Sequence, residues 1–236
     1  MRRAASVYPV LAASVSRTFA DMVVFGYVPL QLFAAGQSDV LHLSLVTAVP
    51  ATVRFVSSNL WGALADVTGR VKPALVVGVA AYAGACLALL RASTGLQAAL
   101  VVSVAAALYG GLAPAAKALL SLRPGPLGTP RRALAWWLQL ESWGWALGSA
   151  AVALRERLGL PSEALLVAAA ALLGADLLWL ALAVPEPAPT GPSGRLGQSL
   201  SRRAARLAGE WRQLYGRGEM ALLLAVFALA TLAGEA

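Results

Sequence analysis

The chain has 236 residues, 59% of them hydrophobic and only 13% charged, with a mean hydropathy of +0.71 and a formal net charge of +8. A soluble globular domain carries about a quarter charged residues, so this chain lacks the polar surface that a water-soluble fold needs. The one cysteine, Cys86, sits inside an apolar stretch, which excludes a disulfide framework and a cysteine-based zinc cluster.

In chain order, the first apolar segment covers residues 18–35, with an onset as early as residue 12. Met1-Arg2-Arg3 leads into no clean small-residue cleavage pattern, so this segment is expected to stay in the protein. Further segments cover residues 40–62, 73–90, 96–120, 133–154 and 164–184, and a seventh runs from Met220 to Ala236. These lengths suit the ~20 residues that cross a hydrocarbon core. In lipid every backbone polar group must be satisfied internally, which leaves helices or a closed barrel. The segments are long, rich in Ala and Leu, and do not alternate, so the expected fold class is all-α, a polytopic membrane helix bundle. Residues 1–184 are then a six-helix transmembrane bundle, 185–219 a cytoplasmic loop, and 220–236 a truncated seventh span.

The loop opens with Pro185, Pro187, Pro189 and Pro192 interleaved with Gly191 and Gly194, residues that do not continue a helix. Beyond it, Leu196, Leu200, Leu207, Trp211 and Leu214 recur at helical spacing, with Arg202, Arg203, Arg206 and Arg217 on another flank. That pattern reads as a basic amphipathic helix lying on an anionic membrane surface, with a docking site for a protein partner as the sharper alternative.

Charge placement sets the expected orientation. Of the 19 basic residues, Arg91, Arg155 and Arg157 fall on one side and Arg54 and Lys117 within segments. The rest, from Arg2, Arg3 and Arg17 through Arg70 and Lys72 to Arg217, fall on the other. Basic loops mark the cytoplasmic side, so the N-terminus is expected there, in a multi-pass protein of the plasma membrane. The positive charge thus serves topology, and no nucleic-acid partner is expected.

The second and third segments are joined by Gly62-Ala63-Leu64-Ala65-Asp66-Val67-Thr68-Gly69-Arg70-Val71-Lys72. Gly62 leaves room for another helix to pack closely, and Gly69 tolerates the positive φ of a chain reversal. Asp66 suits the positive N-terminus of another helix, and Arg70, four residues on, is placed to pair with it where the turn stays helical. The bland reading is a charged cytoplasmic hairpin obeying the positive-inside rule. The spacing G-x-x-x-D-x-x-G-R-x-K, however, resembles the signature loop between helices 2 and 3 of the major facilitator superfamily of secondary transporters. Tyr109-Gly110-Gly111-Leu112-Ala113-Pro114-Ala115 is similar to a small-residue stretch of that family's helix 4, and Pro185-Glu186 resembles its ending to helix 6. In the fifth segment Gly144 and Gly148 make a small-xxx-small pair that allows close helix contact.

The resemblance implies the N-terminal six-helix half of such a transporter plus the start of helix 7. It also implies alternating access around a central site, with Gly62, Asp66, Gly69, Arg70 and Lys72 as a conformational-switch loop. The implied activity is secondary transport of a small solute, with proton-coupled export as its modal form. Implied partners are a small-molecule substrate, the lipid bilayer, and a missing C-terminal half or second chain. Gly110, Gly111, Pro114, Gly144 and Gly148 are expected at helix contacts.

Buried charges supply the remaining chemistry, because an ionisable group at mid-membrane costs about 2.5–3.5 kcal/mol on insertion scales and calls for a partner or a wet cavity. Arg54 precedes Asp66 by 12 residues, about 18 Å of helix, and Glu141 follows Arg131 by 10, about 15 Å. Helices 2 and 5 face the inter-half interface in the family that the hairpin resembles. Arg54 and Glu141 are therefore expected to meet there, as a structural ion pair or as a substrate or proton site. Asp21 reads as a local partner of Arg17 near the interface, with a proton-carrying role as the alternative. Lys117 is expected to snorkel, Trp136 and Trp137 to join an interfacial belt, and Asp176 to lack an obvious partner. No serine–histidine–acid set, metal-ligand cluster or phosphate loop is apparent, so neither an enzyme nor a cofactor is expected. The competing class is a non-transporting membrane module such as a receptor or assembly subunit.

Overall fold

The fold is seen in a computed structural model that describes residues 7–36, 40–122 and 124–185, together with Ala205 and Gly209, with backbone alone at 40–43 and Asp66. Compact units fall at Met1–Ser193 and Gly194–Ala236. The expected surface helix and seventh span lie in the second unit, outside the described residues apart from Ala205 and Gly209.

Every regular element described is helical, and together they build six long rods. The first comprises α1 (Val7–Asp21), a π-helical stretch at Met22–Tyr27, and α2 (Val28–Ala34). α3 is Val40–Thr68 and α4 is Lys72–Leu89. The fourth rod is split into α5 (Gly95–Tyr109) and α6 (Leu112–Leu122). After a 3₁₀ turn at Gly125–Leu127 come α7 (Pro130–Leu158) and α8 (Glu163–Ala183).

Local chemistry explains the ends. The Thr94 and Thr129 hydroxyls accept from the amides of Gln97 (3.2 Å) and Arg132 (3.3 Å), capping α5 and α7. Gly69 (φ 65°) and Gly159 (φ 64°) end α3 and α7 in the left-handed conformation that glycine adopts without strain.

Four rods, Val7–Ala34, Lys72–Leu89, Gly95–Leu122 and Glu163–Ala183, are long and apolar enough to cross a membrane. α3 and α7 are 29 residues each, about 43 Å of helix, and carry Arg54 and Glu141. The exterior is strongly apolar: Leu100, Val104, Leu178 and Leu182 are all more than half exposed. An apolar exterior of this kind suggests a membrane protein.

Sequence expectation and structure differ at three places. The first rod begins at Val7 rather than near residue 12 or 18, so Arg17 lies ten residues inside it and is no flanking cation. α3 continues to Thr68, which leaves Gly62 and Asp66 within a helix and only residues 69–71 as the hairpin. Third, the first and fourth rods are interrupted, each after a 15-residue helix. Pro29 has no N–H to return to its own helix, and the π-type bond from Val28 N–H to Val23 O absorbs the mismatch. Pro114 likewise leaves the Gly110 carbonyl without its helical donor, and the rod breaks at Gly110–Gly111.

The packing repeats itself. α1 lies along α7 as α5 lies along α3, α4 pairs with α8, and the α4–α5 contact is matched by α8–α1. Exchanging the first three rods with the last three leaves these principal neighbours unchanged.

Candidate functional site

Close glycine packing brings the ionisable groups together. A Cβ on Gly144 would stand 1.9 Å from Thr18 Oγ1 and 2.4 Å from the Val15 carbonyl, and one on Gly148 would stand 2.8 Å from Met22 Cβ. α7 therefore approaches α1 backbone to backbone. Glu141, nearly one turn before Gly144, is thereby carried onto Arg17, one residue before Thr18. Arg17 Nη2 pairs with Glu141 Oε1, while Arg17 Nη1 pairs with Asp21 Oδ2 at 2.9 Å. The Tyr82 hydroxyl of α4 donates to Asp21 Oδ1 at 2.6 Å, and Trp137 Nε1 donates to Glu141 Oε1 at 2.8 Å. One cation between two carboxylates leaves this cluster with a formal charge of −1, spread over three rods and held by buried donors. Tyr82 in turn stacks on Tyr109, ring centroids 4.5 Å apart, which ties the cluster to the end of α5.

The equivalent contact between α3 and α5 uses the same glycine device but different polar groups. Cβ atoms on Gly110 and Gly111 would stand 2.0 Å from Ser57 Oγ and 2.6 Å from Trp61 Cγ. Ser57 Oγ donates to the Ala106 carbonyl at 3.0 Å and Trp61 Nε1 to the Ala107 carbonyl at 2.9 Å. Ala106 and Ala107 lie in the last turn of α5, and the Ala106 carbonyl accepts from the Gly110 N–H at 3.0 Å as well as from Ser57.

A cavity of about 530 Å³ opens between these contacts, lined among others by Arg17, Arg54, Tyr109, Pro114, Lys117 and Glu141. α1, α3, α6 and α7 all contribute walls, and the break at Gly110 forms part of its surface. Arg54 lies beside Tyr109 and is half-buried. Among the described residues neither Arg54 nor Lys117 takes part in a salt bridge.

The candidate residues thus sort as follows. Asp21 and Glu141 are in one network, and Arg54 shares a cavity with Glu141. The ion pair of Glu141 is nevertheless with Arg17, whereas the sequence points to Arg54 as its partner. The i, i+4 spacing points to Arg17 as a local partner of Asp21 at the interface. That contact exists, but buried (Arg17 is 9% exposed) and extended across rods. Trp137 is fully buried at 0% exposure, so it belongs to no interfacial belt, whereas Trp136 is exposed. Gly110, Gly111, Gly144 and Gly148 are buried at helix contacts, and Pro114 faces the cavity. In the hairpin, Arg70 is exposed and its N–H donates to Thr68 Oγ1 at 3.3 Å, while Lys72 Nζ donates to the Ala181 carbonyl at 2.7 Å, near the C-terminus of α8. Gly62 is half-buried on α3, and the Asp66 side chain lies outside the described residues. Asp176 is buried beside Ser16, with one carboxylate oxygen lacking a hydrogen-bond partner. Tyr82 went unnoticed in the sequence, where a tyrosine in an alanine-rich segment carries no signal of its role.

Comparison with protein-family models, with curated proteins and with solved structures finds no match to this chain.

Proposed function

We propose that this chain is a major facilitator-type six-helix unit that moves a small solute across a membrane by alternating access. In this reading all six rods span the plasma membrane, the N-terminus is cytoplasmic, and the cavity at Arg17, Arg54 and Glu141 is the solute site. The observation that carries the reading is the pair of interrupted rods in equivalent positions of a three-plus-three repeat. Interrupted helices in corresponding positions of two repeats are a structural pointer to a transporter's site, and the break at Gly110 lies on the cavity wall. The ionisable network beside that cavity adds support, since intramembrane charges mark solute or proton pathways.

Alternating access also calls for a second six-helix unit to close the cavity from the other face, as the rest of a longer chain or as a partner. The hairpin at residues 69–71 with Asp66 then acts at one end of the bundle as a switch, remote from bound solute. Asp66→Asn is accordingly expected to slow exchange while leaving equilibrium binding intact.

The test is a solute screen on the protein in nanodiscs and proteoliposomes, across carboxylates, amines, sugars and apolar drugs. Saturable binding of one class, lost when Ala51→Trp on the cavity wall fills the space, is the expected result. A correctly folded protein that binds no class overturns the solute site and favours a receptor or assembly subunit, whereas movement across the membrane is expected only with the second unit in place.

A further inference from the structure

Taking the cavity as a solute site, as proposed above, we infer that its ligand is a small organic anion whose carboxylate or phosphate group is held by Arg54 and Lys117. The charge ledger of the cavity carries this. Arg17 is already claimed by two carboxylates, Asp21 and Glu141, and its guanidinium is turned to them. Arg54 and Lys117 line the same space, on α3 and α6, and neither forms a salt bridge among the described residues. Both therefore retain charge for a ligand, whereas the one acid on the wall, Glu141, is engaged by Arg17 and Trp137.

Placement strengthens the case. Arg54 precedes the end of α3 by 14 residues, about 21 Å of helix, too far for its guanidinium to reach that end of the rod. A half-buried guanidinium at that depth gains most from an anion that replaces its lost water, and its planar donors match carboxylate and phosphate oxygens two at a time. Lys117, exposed on the same cavity, contributes a second, more mobile positive charge. Phe55 and Ala113 on the wall give the carbon skeleton an apolar surface.

The probes are succinate and glycerol 3-phosphate, set against tetraphenylphosphonium and the neutral polyol erythritol. Binding is followed in nanodiscs by isothermal titration. Both anions are expected to bind saturably, and Arg54→Gln and Lys117→Gln should each weaken them by about tenfold or more, with Arg54→Lys losing less. Circular dichroism and the thermal midpoint of each variant establish that it is folded. Nanodiscs with and without phosphatidylglycerol separate a soluble anion from a lipid headgroup. Succinate binding that persists in the anionic lipid supports the soluble ligand, and its complete replacement by lipid overturns it. Preferential binding of the cation or the polyol, unaltered in Arg54→Gln, overturns the substrate class while the solute site stands. Absence of binding by every probe and every class in the wider screen removes both readings.

Discussion

The α1–α7 contact and the α3–α5 contact are equivalent positions of one repeated packing scheme, yet they spend their polar groups differently. Both use a pair of glycines to bring helices into backbone contact. At α1–α7 the approach is sealed by charged side chains, Arg17 between Glu141 and Asp21, with Tyr82 and Trp137 donating to the two carboxylates. At α3–α5 it is sealed by neutral donors, Ser57 and Trp61, bonded to backbone carbonyls, and the nearby cation Arg54 is left facing the cavity. One side thus has each of its ionisable groups partnered within the bundle and reads as a joint, while the other keeps a cation in reserve. Asymmetry within a repeat separates what holds the bundle from what is available to a ligand.

The comparison breaks first at the glycines. Gly144→Leu forces a side chain where even a Cβ lies 2.4 Å from the Val15 carbonyl, so the α1–α7 backbones must part. A loss on the order of 4 kcal/mol or more, or failure to fold, is expected, read as the thermal midpoint and size-exclusion profile in detergent.

The ionised joint comes next. Glu141→Leu leaves Arg17 with a single carboxylate and the Trp137 indole without its acceptor, at a cost of about 3 kcal/mol, the low end for a broken buried pair because Glu141 keeps 20% side-chain exposure. In a double-mutant cycle Arg17→Leu and Glu141→Leu should couple by on the order of 1–3 kcal/mol. Arg54→Leu with Glu141→Leu should couple less. Stronger coupling of Arg54 than of Arg17 would reverse the assignment of joint and reserve.

The neutral joint is the mildest to break. Ser57→Ala removes little beyond the hydroxyl that donates to the Ala106 carbonyl, and about 1 kcal/mol is expected, measured by the same thermal unfolding. A cost comparable to that of Glu141→Leu would erase the contrast between the two contacts.

The helices themselves were legible because apolar runs of membrane length leave the backbone little choice. Their fine structure was less so. Arg17 looked like a flanking cation because a lone arginine in an apolar run is costly, and the partner that offsets this cost, Glu141, is 124 residues away. Charge pairs within a helix can be read from i, i+4 spacing, as Arg17 and Asp21 were. Pairs between helices depend on rotation and depth, which the resemblance supplied only as a guess between Arg54 and Glu141. The breaks carried a signal in Pro29 and Pro114, but a proline in a membrane helix does not announce whether the chain kinks, bulges or splits. The glycines of the fourth and fifth segments could be read as contact positions because a missing side chain is useful chiefly where something else comes close.

The π-helical stretch at Met22–Tyr27 has a consequence for how this chain tolerates insertions and deletions. A bond that closes over five residues where an α-helix closes over four houses one surplus residue, and one residue is about 100° of rotation. The rod therefore behaves as two helices sharing an axis with their angular phase reset between them. Arg17 and Asp21 belong to one phase, Val28 and Leu32 to the other, and both sets are buried. Loss of a single codon within residues 22–27 would remove that surplus and restore a uniform spiral with buried Val28 and Leu32 still facing the core. Closing the wide turn to plain α-helix with the residue retained would instead swing Val28 and Leu32 off the core by that angle while the joint upstream stayed in place. By this geometry the stretch is the part of the rod that best tolerates loss of one residue.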